Sequence, residues 1–224
     1  MKLTNNKAIK ACIFDLDGVI VDTARYHFLA WKRLASELGI TLTEEDNERL
    51  KGVSRMRSLE IILALGGVTK SDHEKESLAN RKNAWFVDFV ERMAPEEIFP
   101  GVAELIASLK QKGYKIGLAS SSKNARTVVQ LLKIENLFDV MVDGSMILHS
   151  KPHPEIFLLA AQQLNVDPSA CLVFEDAESG VEAAIAAGMK CVGIGSPAQL
   201  HKANMVIPAT GKFNLANLQT LETA

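Results

Sequence analysis

Short apolar runs and helical patterns alternate along much of the chain. The runs are rich in β-branched residues, as in buried strands, whereas the segments between them repeat apolar residues every three or four positions, as in helices. This alternation predicts a parallel sheet that is covered by helices on both faces. The predicted strands are 9–16, 115–119, 140–142, 171–174, 191–194 and 206–207, and the helices between them 101–112, 124–133, 154–165 and 177–187.

One long interval breaks this alternation. The residues between the first and second predicted strands have helical patterns, over 24–38, 55–65 and 71–93. We therefore interpret 23–94 as an inserted helical domain, and 1–22 together with 95–224 as the sheet domain that carries it. The predicted fold class is α/β, with two domains.

Charge and composition exclude several classes of function. A formal net charge of −2 and a pI near 6.2 leave no basic field for a nucleic acid or an anionic membrane. The three cysteines, Cys12, Cys171 and Cys191, lie far apart in apolar segments, which is typical of reduced core thiols. No apolar run has the length of a signal peptide or of a membrane span. We therefore expect a cytoplasmic protein that binds neither nucleic acid nor a membrane.

Ionisable and hydroxyl side chains follow four of the predicted strands. Ligands of parallel sheets gather at the carboxyl ends of the strands, so these side chains should meet at one edge of the sheet. In strand order they are Asp15 with Asp17, the serines 120–122, Lys151, and Glu175 with Asp176.

Each of these features also has a purely structural explanation. Asp17-Gly18 is a turn signal, the serines can cap the next helix, and an acidic pair can favour a helix dipole. Together, however, adjacent acids repel by about 4 kcal/mol per pair at an effective dielectric constant near 20. Mg²⁺ relieves such repulsion and takes carboxylate and phosphate oxygens as ligands. The set therefore predicts phosphoryl transfer, with Asp15 as the nucleophile and Asp17 as the general acid and base.

The same segments resemble the four signature motifs of the haloacid dehalogenase superfamily, in order. They are DLDGV at 15–19, the serine turn, Lys151-Pro152 and Glu175-Asp176. Further segments, among them KGVSR at 51–55 and RKN at 81–83, resemble its β-phosphoglucomutase subgroup. The resemblance implies a Rossmann-like core domain and an inserted α-helical cap domain that closes over the active site.

The resemblance also implies a reaction. It is the interconversion of β-D-glucose 1-phosphate and glucose 6-phosphate through an aspartyl-phosphate and β-glucose 1,6-bisphosphate, which also serves as the activating donor. One Mg²⁺ ion is implied, held by Asp15, the backbone carbonyl of Asp17, Glu175 and Asp176. The only partner implied is a small phosphosugar, and we expect a monomer.

Substrate contacts are implied for both domains. Ser120 and Lys151 would hold the transferring phosphoryl group, and Arg55 the second phosphate. The other implied substrate-site residues are Thr23, His27, Trp31, Gly52, Val53, Ser54, Ser58, Lys82, Ser122, Lys123 and Asn124. Two residues depart from the common pattern of the superfamily. His153 stands where a small residue is common after Lys-Pro, and Gly180 stands where many phosphatases carry an acid.

Two other functions stay open on the sequence alone. The same core motifs serve phosphatases, in which water attacks the aspartyl-phosphate, so a cap-covered sugar-phosphate phosphatase is the alternative. A phosphosugar-binding regulator is disfavoured, because binding alone does not need both Asp15 and Asp17.

Overall fold

Within residues 8–223, the sheet domain contains six parallel strands in the order β3-β2-β1-β4-β5-β6. The structure is a computed structural model that describes residues 8–223, so the predicted domain ends 1–7 and 224 lie outside the described residues. The α/β class predicted from the alternation is confirmed. The strands are β1 (Ala11–Phe14), β2 (Lys115–Ser120), β3 (Val140–Asp143), β4 (Cys171–Glu175), β5 (Lys190–Ile194) and β6 (Met205–Ile207).

The strand order reverses beside β1, which lies between β2 and β4. Phe14, the last residue of β1, is opposite Leu118 of β2 and Phe174 of β4, and the Phe14 and Phe174 rings stack at 4.4 Å. The three strands therefore end at nearly the same level. Ligand sites of open parallel sheets form at such reversals, outside the carboxyl ends of the strands.

Helices cover both faces of the sheet, and residues that alternate along β1 separate two apolar clusters. Cys12 and Phe14 face one cluster, whereas Ala11 and Ile13 face the other. The last helix, α9, was not predicted from the sequence. The helices of this domain are α5 (Val102–Gln111), α6 (Ala125–Leu131), α7 (Glu155–Leu164), α8 (Glu178–Ala186) and α9 (Leu215–Thr223).

Four helices lie between β1 and β2, in the interval interpreted as an inserted domain. Their bounds follow local signals, since the hydroxyls of Ser54 and Ser71 accept hydrogen bonds from backbone N–H groups at the starts of two helices. Three of them contribute to a separate apolar cluster that includes Trp31, Leu34 and Ile62, whereas the short helix Glu44–Glu48 has no buried residue. The division at 22 and 95 stays a prediction. The helices are α1 (Ala24–Glu37), α2 (Glu44–Glu48), α3 (Arg55–Leu65) and α4 (Asp72–Val90).

We refer to this helical segment, 23–94, as the cap. It lies over the carboxyl ends of the strands, because residues of the cap and of the strand-end loops line one cavity. Within residues 8–223, no helix has the length and apolar character needed to cross a membrane.

Candidate active site

Two aspartates follow β1 at the centre of the sheet edge. The backbone N–H of Asp17 donates to Oδ2 of Asp15 at 2.8 Å, so the two carboxylates lie together as predicted. Asp15 is 4% exposed and still lines the cavity. A carboxylate so placed is held rigidly and has one face open to a ligand.

Lys151 offsets the negative charges of Asp15 and Glu175 on the buried side of the site. Its Nζ lies 2.5 Å from Oδ1 of Asp15, contacts Oε1 of Glu175, and donates to the carbonyl of Ala119 at 3.4 Å. The other carboxylate oxygen of Glu175 accepts from the Ala177 N–H at 3.0 Å. One buried ammonium thus lies between two buried carboxylates. Burial raises the pKa of Glu175, and the Lys151 charge opposes that rise.

Asp17 has the surroundings of a proton carrier. Burial and the neighbouring Asp15 carboxylate raise the pKa of Asp17 to about 7. The Thr23 hydroxyl donates to its Oδ1, and the Ser120 hydroxyl donates to its Oδ2 at 3.3 Å. A carboxyl group with a pKa near neutrality can both give and take a proton under physiological conditions.

Asp176 completes an acidic wall with Asp15. A Cβ atom added to Gly18 would lie 2.1 Å from Oδ2 of Asp176, so this carboxylate packs directly against the backbone at Asp17-Gly18. Burial, then the charges of Glu175 and Asp15, raises the pKa of Asp176 well above its ordinary value. A cation bound beside Asp176 would offset this repulsion and favour its ionised carboxylate.

This donor set fits Mg²⁺, which prefers oxygen ligands and commonly takes one or two carboxylates. Asp15, Asp176 and the carbonyl of Asp17 supply such oxygens. Among residues 8–223, no three His, Cys, Asp or Glu side chains form a ready-made metal cluster. Both oxygens of Glu175 already have donors, so its role as a ligand stays a prediction.

The presence of a glycine at position 180 has a steric reason. A Cβ atom at this position would lie 1.9 Å from Oε1 of Glu175. The glutamate that binds Lys151 therefore occupies the space that a side chain at 180 would need. The glycine at 180, where many phosphatases carry an acid, therefore makes room for the Glu175 side chain that pairs with Lys151.

The cap supplies a polar chain that points at Asp17. Nζ of Lys82 lies 2.7 Å from Nδ1 of His27, and Nε2 of His27 lies 4.0 Å from Oδ1 of Asp17. Burial and the charge of Lys82 lower the pKa of His27, so its ring is neutral. A Lys82 amine that donates to Nδ1 leaves the ring proton on Nε2, the nitrogen that faces Asp17. Nζ of Lys82 lies over the rings of Trp31 and Phe86, and burial, then the charge of Arg55, lowers the pKa of Lys82 well below its ordinary value.

A cavity of about 440 Å³ lies between the cap and the sheet edge. Asp15, Asp17 and Asp176 line its sheet side, and Arg55 lines its cap side. Burial lowers the pKa of the half-buried Arg55, and within the described part of the chain no carboxylate lies within ion-pair distance of it. Arg55 therefore gives the cap side of the cavity a cationic group that has no carboxylate partner among residues 8–223.

Comparison with known proteins identifies the family. The family model for haloacid dehalogenase-like hydrolases matches residues 9–188 of the chain. The chain belongs to this family. The resemblance found in the four motifs is thereby confirmed.

Individual relatives of the chain include a mutase and phosphatases. The β-phosphoglucomutase of Bacillus subtilis strain 168 is 46% identical over 209 residues, which are 92% of each chain. A crystal structure of β-phosphoglucomutase from Clostridium difficile has a TM-score of 0.92 at 42% identity, with 96% of this chain and 97% of that chain covered. A phosphorylated carbohydrates phosphatase of Thermotoga maritima is 36% identical over 185 residues, 81% of this chain and 83% of the relative. The predicted resemblance to β-phosphoglucomutase is confirmed.

The predicted site residues lie in two layers, and their roles stay predictions. Thr23, Ser120, Lys151 and Glu175 lie behind the cavity wall and contact Asp15 or Asp17 or each other, while the Asn124 amide donates to Asn83 of the cap at 2.8 Å. The residues that line the cavity are Asp15, Asp17, His27, Trp31, Gly52, Val53, Ser54, Arg55, Ser58, Lys82, Ser122, Lys123 and Asp176.

Some cavity residues were missed by sequence reasoning. Lys51, whose Nζ lies 4.0 Å from Oδ2 of Asp176, and Ser121 belong to quoted motifs but were given no role. Ile147 and Leu148, on the loop after β3, and Glu76 and Asn80, one turn apart on α4, gave no chemical signal at all. The further lining residues are Ala24, Asn47, Leu50, Met56, Ala79, Gly144 and Ser150.

Proposed function

We propose that the protein is a β-phosphoglucomutase, which interconverts β-D-glucose 1-phosphate and glucose 6-phosphate through β-glucose 1,6-bisphosphate. The observation that carries the proposal is the pairing, in one cavity, of the Asp15-Asp17 acid pair with a cap arginine that has no carboxylate partner within the described residues. Two phosphates on one sugar match those two ends. The 46% identity to the Bacillus subtilis enzyme supports the same substrate.

Asp15 would act as the nucleophile. One of its oxygens forms a bond to phosphorus as the bond from phosphorus to the sugar oxygen breaks, which leaves an aspartyl-phosphate and a sugar monophosphate. Lys151 and the N–H of Asp17 hold the carboxylate in place. The same ammonium would offset negative charge on the transferring oxygens.

Asp17 would move the proton. In its protonated form it gives the proton to the departing sugar oxygen, and in its ionised form it later takes one from the attacking sugar hydroxyl. Its pKa of about 7 suits both directions. The hydroxyls of Thr23 and Ser120 orient the carboxyl group.

A Mg²⁺ ion, when bound by Asp15, Asp176 and the carbonyl of Asp17, supplies positive charge that stabilises the phosphoryl oxygens. The protein's own part is to keep these oxygens together on a rigid strand end. The close contact of Asp176 with the backbone at Gly18 does this.

The cap would hold the other end of the substrate. Arg55 has a planar, fork-shaped guanidinium that suits the second phosphate, and Lys123 lines the cavity from the sheet domain. The chain from Lys82 through His27 to Asp17 links the cap position to the proton carrier. Attack by a sugar hydroxyl and exclusion of water would therefore go together.

The alternative is a sugar-phosphate phosphatase, which the Thermotoga maritima relative favours. Phosphorus NMR separates the two. The enzyme with Mg²⁺, β-glucose 1-phosphate and a trace of bisphosphate should produce glucose 6-phosphate. Free phosphate as the main product would refute the mutase proposal. Asp15→Asn should abolish both products while the circular dichroism spectrum is unchanged.

Location and assembly are further parts of this proposal. Cys12, Cys171 and Cys191 are free and buried, as in a protein of a reducing compartment, which supports the cytoplasm. The cavity is built within one chain, so we propose that the monomer is active. Size-exclusion chromatography with light scattering at assay concentration tests that assembly state.

A further inference from the structure

Two serine hydroxyls of the sheet domain bind neighbouring carbonyls of one cap loop. Ser121, after β2, donates to the carbonyl of Gly52 at 2.8 Å. Ser179, in the first turn of α8, donates to the carbonyl of Lys51 at 3.1 Å. Both bonds cross from one domain to the other, and neither serine had a role in the predicted site.

The loop lies unusually close to the sheet domain at this point. A Cβ atom added to Gly52 would lie 2.5 Å from Oγ of Ser179 and 3.1 Å from Cβ of Ala177. Gly52 also has a φ of +71°, which other residues adopt only with strain. The close approach therefore depends on a glycine in the cap loop facing a small hydroxyl residue on α8.

The same loop continues into the cavity wall. Val53, Ser54 and Arg55 follow directly and line the cavity, and Arg55 begins α3. Fixing the carbonyls at 51 and 52 therefore fixes the backbone that carries Arg55 into the cavity wall. A cap that moved away would break both serine bonds at once.

We propose that Ser121 and Ser179 are positioning residues that hold the cap closed while the aspartyl-phosphate is present. The inference rests on the proposed mutase function and extends it to the competition between sugar and water. In the closed state the two hydroxyls and the two carbonyls bind each other, whereas in the open state water binds all four groups. Each bond therefore favours closure by the net value of one hydrogen bond.

The expected effect follows from that net value. About 1 kcal/mol per bond corresponds to roughly a fivefold change in the ratio of closed to open molecules. Ser121→Ala and Ser179→Ala should therefore each lower the ratio of phosphoryl transfer to phosphoenzyme hydrolysis by about fivefold. The double variant should lose more than either single variant.

The first measurement is this ratio. Labelled phosphoenzyme is prepared with acetyl phosphate and Mg²⁺ and then mixed with β-glucose 1-phosphate, and labelled sugar bisphosphate and free phosphate are counted. Ser36→Ala is the matched control, because Ser36 is an exposed residue of α1. A ratio within twofold of the parent in the double variant, from a parent that does transfer, overturns the proposal.

The second measurement reports cap position without turnover. Both tryptophans, Trp31 and Trp85, lie in the cap, and Trp31 is 3% exposed and lines the cavity. In a Trp85→Phe background with inorganic phosphate present, acrylamide should quench Trp31 more strongly in the double variant than in Ser36→Ala. Equal quenching overturns the proposal. If the parent releases only free phosphate, the mutase function fails and the quenching alone decides the role of the serines.

Discussion

Lys151 provides a direct test of the charge arrangement at the strand ends. Its side chain is fully buried between Asp15 and Glu175. Lys151→Met keeps the length and apolar volume of the stem and removes only the ammonium. Two buried carboxylates would then face each other without a cation.

Removing one partner of a buried ion pair costs about 3–5 kcal/mol, because the charge left behind is neither hydrated nor paired. The free energy of unfolding of Lys151→Met should therefore be about 3–5 kcal/mol lower than that of the parent at pH 8.

The loss should depend on pH. Burial already raises the pKa of Glu175 in the parent, and removal of Lys151 would raise it further. A carboxyl with a raised folded-state pKa has its full stability below its unfolded pKa of about 4.3 and loses stability as the pH rises. In the parent, protonation of Asp15 and Glu175 at low pH instead leaves the Lys151 ammonium without an ionised partner, which lowers the stability of the parent. The difference between variant and parent should therefore shrink towards pH 5.

Urea unfolding in EDTA at pH 8 and pH 5 measures both quantities without a bound cation. Lys123→Met is the matched control, since this lysine is exposed, and it should change the stability by less than about 0.5 kcal/mol. A deficit below about 1 kcal/mol at pH 8, or an equal deficit at both values, would refute the reasoning.

The remaining predictions concern the substrate, the core and the proton. Arg55→Ala should reduce phosphosugar turnover at least about tenfold more than phosphorylation by acetyl phosphate, because only the sugar substrate carries a second phosphate; equal losses in steady-state assays contradict this. Gly180→Ala should lower stability by about 1–3 kcal/mol in urea unfolding, because the added Cβ would displace Glu175. The rate of phosphoryl transfer to sugar should rise about tenfold per pH unit and level off near pH 7 as Asp17 ionises. A flat quenched-flow profile from pH 5.5 to 8 would count against Asp17.

Much of the sheet domain could be predicted because its signals are local. Each strand is a short apolar run, and Gly113 and Gly188 end their helices in the left-handed region, where glycine is unstrained. The catalytic candidates could be predicted because parallel strands bring their carboxyl ends to one edge. Asp15 and Lys151, far apart in sequence, meet there for that reason.

The contacts of the cap could not be predicted in the same way. They depend on how two domains approach each other, which no local pattern encodes. Ser121 is one of three successive serines, and nothing in the sequence distinguishes its bond to Gly52 from ordinary helix capping. Gly180 appeared as a departure from a motif, and only the position of Glu175 explains it.

The distribution of charge in the cavity bears on how the enzyme would choose sugar over water. Asp15, Asp17 and Asp176 line the sheet side, with Lys151 buried behind them, while Arg55 on the cap side has no carboxylate partner within residues 8–223. In the proposed function, the non-reacting phosphate of the sugar would neutralise that arginine, so its binding energy would favour the closed cap. A water molecule provides no such contact. Attack by water would therefore occur in one of two states. In an open cavity, His27 and Lys82 are withdrawn from Asp17. In a closed cavity without a sugar phosphate, the hydrogen bonds of Ser121 and Ser179 alone hold the cap shut. Selectivity for the sugar then comes from the phosphate that does not react.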